Sequence, residues 1–148
     1  MPKIDLSDFE AKLLIKMEKE CCDEKPNIFP GCGGKLNILL KSKCGKEEFT
    51  LDVYRGKIEL TKNTFQNRAR KAIVLVRLDI GGAPHRNPDG TEIPCPHIHI
   101  YKEGYHHKWA YAVPEKFSDL TDSWETLQDF MDYVNVTKKP YVQKDINT

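Results

Sequence analysis

Apolar residues first recur at helical spacing. Between residues 7 and about 22, Phe9, Leu13, Leu14, Met17 and Cys21 form one stripe, and Ser7 with Glu10 supplies a capping box at its start. Pro26 and the run Phe29-Pro30-Gly31-Cys32-Gly33-Gly34 end that helix. The period then changes from three-and-four to two, which is the signature of strands. Leu36, Ile38 and Leu40 alternate inward, with Leu39 adding apolar character on the second face. Phe49, Leu51 and Val53 alternate against Thr50, Asp52 and Tyr54, and Lys57 to Thr61 makes a short strand on Ile58 and Leu60. Turns at Cys44-Gly45-Lys46 and Arg55-Gly56 are short enough to make these antiparallel hairpins.

Asn63 to Lys71 breaks the pattern, being polar and cationic. Ala72 to Ile80 restores it as the most apolar strand of the chain, with Arg77 and Asp79 on one face. A glycine- and proline-rich loop, Gly81 to Gly90, leads to Pro96-His97-Ile98-His99-Ile100-Tyr101, which alternates strictly. Lys108 to Val113 forms a hairpin with it. Trp124, Leu127, Phe130, Met131 and Val134 mark a closing helix at about 122–134, capped by Asp122 and Glu125. The pattern therefore predicts an α+β fold: an antiparallel sheet of five to six strands with an N-terminal and a C-terminal helix packed on it. It predicts a single domain over 1–148, with the sheet at about 35–113 and a polar tail at 137–148.

Composition changes little in this picture. A net charge of +1 in 148 residues gives no global pull towards a polyanion, so only local patches can speak. No apolar run reaches the roughly 20 residues of a membrane span, and the N-terminus lacks a signal-peptide core, so no membrane association and a cytoplasmic location are expected. Five cysteines without a CxxC pair fit reduced thiols. Cys32 and Cys44 are the pair that turn-like contexts would offer to zinc.

The candidate chemistry gathers in two places. His85, His97 and His99 fall within fifteen residues, and His97, His99 and Tyr101 share a strand face. Two imidazoles about 7 Å apart along a strand can act as an acid and base pair. They can equally hold a divalent metal, with His85 or Cys95 as a third ligand. Arg55, Lys57, Lys62, Arg68, Arg70 and Lys71 crowd into seventeen residues opposed only by Glu59, a pattern suited to phosphate. Tyr54, Tyr101, Tyr105, Trp109 and Tyr111 could stack on a nucleobase.

Several resemblances bear on these residues. His97-Ile98-His99 followed by Tyr101 is similar to the metal-binding strand of HUH single-strand nucleases, and Tyr141-Val142-Gln143-Lys144 resembles their tyrosine-x-x-lysine element. His97-x-His99-x3-Glu103 resembles half a cupin metal motif, although a helix rather than more strands follows. Histidine-triad hydrolases carry a third histidine where Tyr101 stands. Broader coverage comes from Leu51 to Ile58, Lys62 to Arg68, Leu75 to Gly82, Pro84 to Gly90 and Pro96 to Tyr101. Together these resemble an uncharacterised family of small bacterial and mobile-element proteins. More remotely, the Arg-x-Asp strand, Pro-His loop and His-x-His strand resemble TumE-like toxins of toxin–antitoxin pairs. That kinship implies a small toxin acting on RNA or on translation, with His85, His97, His99, Arg77 and Asp79 as the positions carried over.

Three functions follow as expectations. The first is a toxin-type, metal-independent endoribonuclease without a cofactor. In it His97, His99 and His85 share acid–base work, Lys62 and Arg68 stabilise the phosphorane, and Arg70, Arg77 and Tyr101 hold RNA or single-stranded nucleic acid. The second is a metal-dependent nuclease or phosphodiesterase with His85, His97 and His99 as ligands to a divalent ion. The third is a non-enzymatic module that binds nucleic acid, an antitoxin or a host protein.

Overall fold

A computed structural model describes residues 5–57 and 62–144. Helix α1 (Asp8–Lys16) opens the described chain and is followed by β1 (Lys19–Cys21), β2 (Asn27–Ile28), β3 (Lys35–Ser42) and β4 (Glu48–Arg55). Next come β5 (Asn63–Ala69), β6 (Ile73–Ile80), β7 (His85–Arg86), β8 (Glu92–Ile93), β9 (His97–Ile100) and β10 (Ala110–Ala112). Helix α2 (Ser123–Tyr133), β11 (Val136–Lys138) and β12 (Val142–Gln143) close it. The expected strand at Lys57 to Thr61 falls almost wholly outside the described residues.

The sheet is larger than the periodicity predicts, and it is mixed. Eight strands run in the order β10-β9-β6-β5-β4-β3-β1-β11, every neighbour antiparallel except β1 with β11, which is parallel. Three segments account for the excess over five to six antiparallel strands. First, the N-terminal helix does not reach residue 22. Met17 leaves helical geometry with ψ 134°, and Lys19–Cys21 pairs with β3. Second, the polar run from Asn63 is an interior strand whose inward positions are Asn63, Phe65, Asn67 and Ala69, so only one bulky apolar residue advertises it. Third, the supposed tail supplies β11 at the sheet edge and β12, which pairs with β2.

One face of the sheet carries the core. Leu51, Val53, Phe65, Leu78 and Ile98 are inaccessible there and meet α2 through Leu127, Phe130 and Met131. Phe65 and Phe130 meet as a tilted pair with ring centres 6.2 Å apart. Helix α1 keeps its predicted capping box, but its buried residues are Ala11 and Leu14, while Phe9 and Leu13 face solvent. Leu39 is likewise exposed rather than buried on the second face. Cys32 and Cys44 flank opposite ends of β3, roughly 25 Å apart at strand rise, so they share no site.

The opposite face is polar, and register lays its side chains in rows. Asp52, Gln66, Arg77 and His99 lie across β4, β5, β6 and β9. Tyr54, Thr64, Asp79 and His97 form the neighbouring row. The connection from β6 to β9 folds back over these rows as the β7–β8 hairpin. Gly81 opens it at φ +76°, a backbone conformation that suits glycine.

Candidate metal centre

His97 and His99 stand on β9 opposite Asp79 and Arg77 of β6, and opposite Ala112 and Ala110 of β10. The alanines leave space on that side. His85 enters it, its ring centre 4.6 Å from that of His99, and the Asn87 amide pairs both ways with the backbone of Ala110. The loop therefore buries the two imidazoles on what would otherwise be a solvated face: His97 is 3% and His99 1% exposed.

Each buried ring is oriented through its Nδ1. That atom of His99 lies 2.8 Å from the carbonyl of His107, and that of His97 lies 3.3 Å from the carbonyl of Pro94. A carbonyl only accepts, so both Nδ1 atoms donate, which leaves the two Nε2 atoms facing away from the backbone. They point at one carboxylate. Asp79 Oδ2 is 3.4 Å from His97 Nε2 and 3.2 Å from His99 Nε2. Three electron-rich atoms thus converge within 4.8 Å of one another. Ligands about 2.1 Å from a shared ion stand roughly 3.0 Å apart at right angles and about 3.4 Å at tetrahedral angles. The two carboxylate–imidazole separations fall in that range.

The surroundings prepare the same charge states. Burial pushes the Asp79 carboxyl upward, but the adjoining His99 ring and the charge of Arg77, helped by the Thr64 hydroxyl, outweigh it and hold the carboxylate below its usual range. Burial and then the neighbouring His99 pull His97 down, against the opposing pull of Asp79, so its ring is neutral at neutral pH. A carboxylate and neutral imidazoles are the forms a metal requires. Arg77 is the competing cation, with Nε 3.2 Å from Asp79 Oδ2 and Nη2 3.1 Å from His99 Nε2. An ion held by all three donors requires Arg77 to release His99. The donor set suits zinc, manganese or iron equally.

A cavity of about 250 Å³ opens over these atoms, and Lys62, Arg77 and His85 line it beside the donors. Five of the expected site residues are thereby brought together: His85, His97, His99, Lys62 and Arg77. Three are not. Arg68 turns to β4 and binds the buried Asp52 at 2.6 Å, so its charge is spent structurally. Arg70 sits in the β5–β6 turn, roughly 20 Å along the strand from Thr64, and pairs with Glu47. Tyr101 lies beyond the end of β9; its hydroxyl accepts from the Leu6 amide at 2.7 Å and its ring stacks on His106. The expected ligand set also changes, because His85 Nε2 is occupied by the Lys108 carbonyl at 2.6 Å and Asp79 takes its place. Cys95 is no ligand either, since its sulfur bridges the Gly82 amide and the Asp79 carbonyl. Tyr141 is on the strand segment paired with β2, beside α2, and does not reach the histidines. Asp79 was legible as a residue facing the loop; its place beside the two imidazoles needed the β6–β9 register.

No curated protein and no solved structure matches the chain. A family profile described as a family of unknown function (DUF6978) matches residues 6–136, a span that includes both helices, β1 to β10 and all three donor residues. The chain belongs to that family.

Proposed function

We propose that the protein is a divalent-metal-dependent phosphodiesterase acting on nucleic acid. The observation that carries this reading is the convergence of Asp79 Oδ2 and two imidazole Nε2 atoms, each ring locked from behind by a backbone carbonyl. The donors alone do not choose hydrolysis over oxidation. Lys62 and Arg77 in the same small cavity support an anionic substrate such as a phosphodiester. A bound divalent ion would supply charge stabilisation at a phosphoryl oxygen. Lys62 would neutralise a second oxygen, Arg77 would steer the phosphate while holding Asp79, and Thr64 would fix the carboxylate from the far side. His85, outside the donor set, lines the same cavity and would offer its second ring nitrogen, Nδ1, for proton transfer. The likeness of these strands to those of TumE-like toxins supports RNA as the polymer.

A metal-independent mechanism has one observation in its favour. Arg77 already offers a guanidinium N–H to His99 Nε2, so a fixed cation rather than a metal can stand in front of that ring. Incubating the protein with labelled RNA and single-stranded DNA, with and without EDTA, separates the two. The metal reading expects cleavage abolished by EDTA, restored by excess Mn²⁺ and absent in a His97→Ala/His99→Ala double variant. EDTA-resistant cleavage lost in that variant would establish acid–base chemistry instead. Wild-type protein that cleaves neither polymer, with or without added metal, would leave binding without turnover.

A further inference from the structure

A second cavity of about 760 Å³ adjoins the first and shares Lys62, Thr64, Gly82 and Ala83 with it. Its remaining wall includes Tyr54, Arg55 and Lys57. Among the described residues, no carboxylate lines it. Tyr54 belongs to the row of Thr64, Asp79 and His97, two strands from Asp79 and therefore about 10 Å from it. Tyr54 is 38% exposed on the polar face, although the alternate positions of the same strand, Leu51 and Val53, are fully buried. Arg55 is held from below by the Pro30 carbonyl, by Asn63 and by the ring of Phe29, so its position is fixed without an acidic partner among those contacts.

We infer that this second cavity is the subsite for a nucleotide next to the scissile phosphate, with its base stacked on Tyr54 and its phosphate held by Lys57 and Lys62. The substrate class is therefore a single strand with an unpaired base at that position. An aromatic platform beside a cationic track is the chemistry that recognises such strands, because a base inside a duplex has no free face to offer. Lys62, common to both cavities, marks where the chain passes from one to the other. The choice of a nucleic acid rests on the phosphodiesterase reading, but the subsite can be tested without metal or turnover.

The test is titration of the full chain, in EDTA, with octanucleotides carrying one 2-aminopurine, as single-stranded RNA, single-stranded DNA and a duplex. Saturable binding of a single strand with quenched fluorescence is expected, and a duplex should bind more weakly. The RNA and DNA arms show which sugar the site prefers. Tyr54→Ala should weaken single-strand binding about fivefold or more and remove the quench, whereas Tyr54→Phe should retain both. Lys57→Ala should lower the salt dependence of binding by about one counterion. Tyr54 is exposed, and an unchanged thermal midpoint in its variants would show that folding is intact. Wild-type affinity in Tyr54→Ala, equal binding of duplex and single strand, or no saturable binding at all would overturn the inference. Calorimetric titration of Mn²⁺ into Tyr54→Ala keeps the two readings apart, since the metal centre should be unchanged there. Failure of metal binding in the wild-type chain, with Tyr54-dependent oligonucleotide binding intact, would remove the metal reading and leave the subsite standing.

Discussion

His99 is almost inaccessible, yet both of its ring nitrogens have polar neighbours, a carbonyl behind and Asp79 with Arg77 in front. Which cation satisfies the front of the ring decides the chemistry. If the native partner is a metal, Asp79→Asn, which keeps shape but removes charge, should weaken Mn²⁺ binding at least about 100-fold by calorimetry. Arg77→Met should bind Mn²⁺ as tightly as wild type or more tightly, because a competing positive charge is gone; a large loss would show that Arg77 builds the site rather than contests it. Asp52 shows the same logic in a purely structural setting. Burial raises its carboxyl, but hydrogen bonds from Arg68, Gln66 and Asn37 hold it below the usual range. A depressed carboxyl contributes stability above the ordinary value near 4 that is lost as pH falls through the folded value. Arg68→Ala should cost about 3–5 kcal/mol in urea unfolding at pH 7, since it strands a buried charge. The variant's stability should then fall less on acidification than that of wild type, or even rise.

At the scale of elements, the segment from Gly81 to Pro96 turns an open sheet face into an enclosed one. Its β7–β8 hairpin is only two residues per strand, so the Asn87 side chain anchors it in place of a longer ladder. The Asn87 amide exchanges two hydrogen bonds with Ala110, at 2.8 and 3.0 Å, in a buried setting. Asn87→Ala should cost about 1–3 kcal/mol. It should also raise hydrogen exchange at the amides of β9 and β10 before global unfolding, and unchanged exchange there would show that the loop is held by other means. The hairpin from Tyr101 to His107 supports the other side, presenting the His107 carbonyl to His99. Glu103 and Asp8 cross-bond to fasten that hairpin to the start of α1.

Across the whole molecule, one buried ammonium joins the two helices to the sheet. Lys19, on β1, donates to the carbonyls of Ile15, Met17 and Val134, at the C-terminal ends of α1 and α2, and lies 4.7 Å from the centre of the Phe49 ring. Burial lowers it to about 7 from 10.5. Between those values the unfolded chain binds the extra proton, so wild-type stability should rise as pH increases from about 7 towards 10. Lys19→Met should lose roughly 3 kcal/mol at pH 7, leaving three carbonyls unpartnered, and should lack that pH-dependent rise. An equal slope in both proteins would mean that the three carbonyls keep Lys19 charged throughout.

Lys19 also marks where the sequence was legible and where it was not. Strong alternation announced β4 and β9, a dense apolar run announced β6, and capping chemistry announced both helix starts. Lys19–Cys21 and Val136–Lys138 are too short for any period to register, and β5 hides two buried asparagines among its inward positions. The His-x-His strand, the Arg-x-Asp strand and Lys62 could be read as site components from their types and spacing. The loss of Arg68, Arg70 and Tyr101 from the site could not, because each is claimed by a partner distant in sequence: Asp52, Glu47 and the Leu6 amide. Among the described residues, no helix is long and apolar enough to cross a membrane.

The most direct measurement is calorimetric titration of Mn²⁺ and Zn²⁺ into the tag-free chain beside its Asp79→Asn and His99→Ala variants. One ion per chain, bound by wild type and lost in both variants, is the predicted result. Wild-type protein that takes up neither ion, or variants that bind as wild type does, would contradict a metal centre at Asp79, His97 and His99.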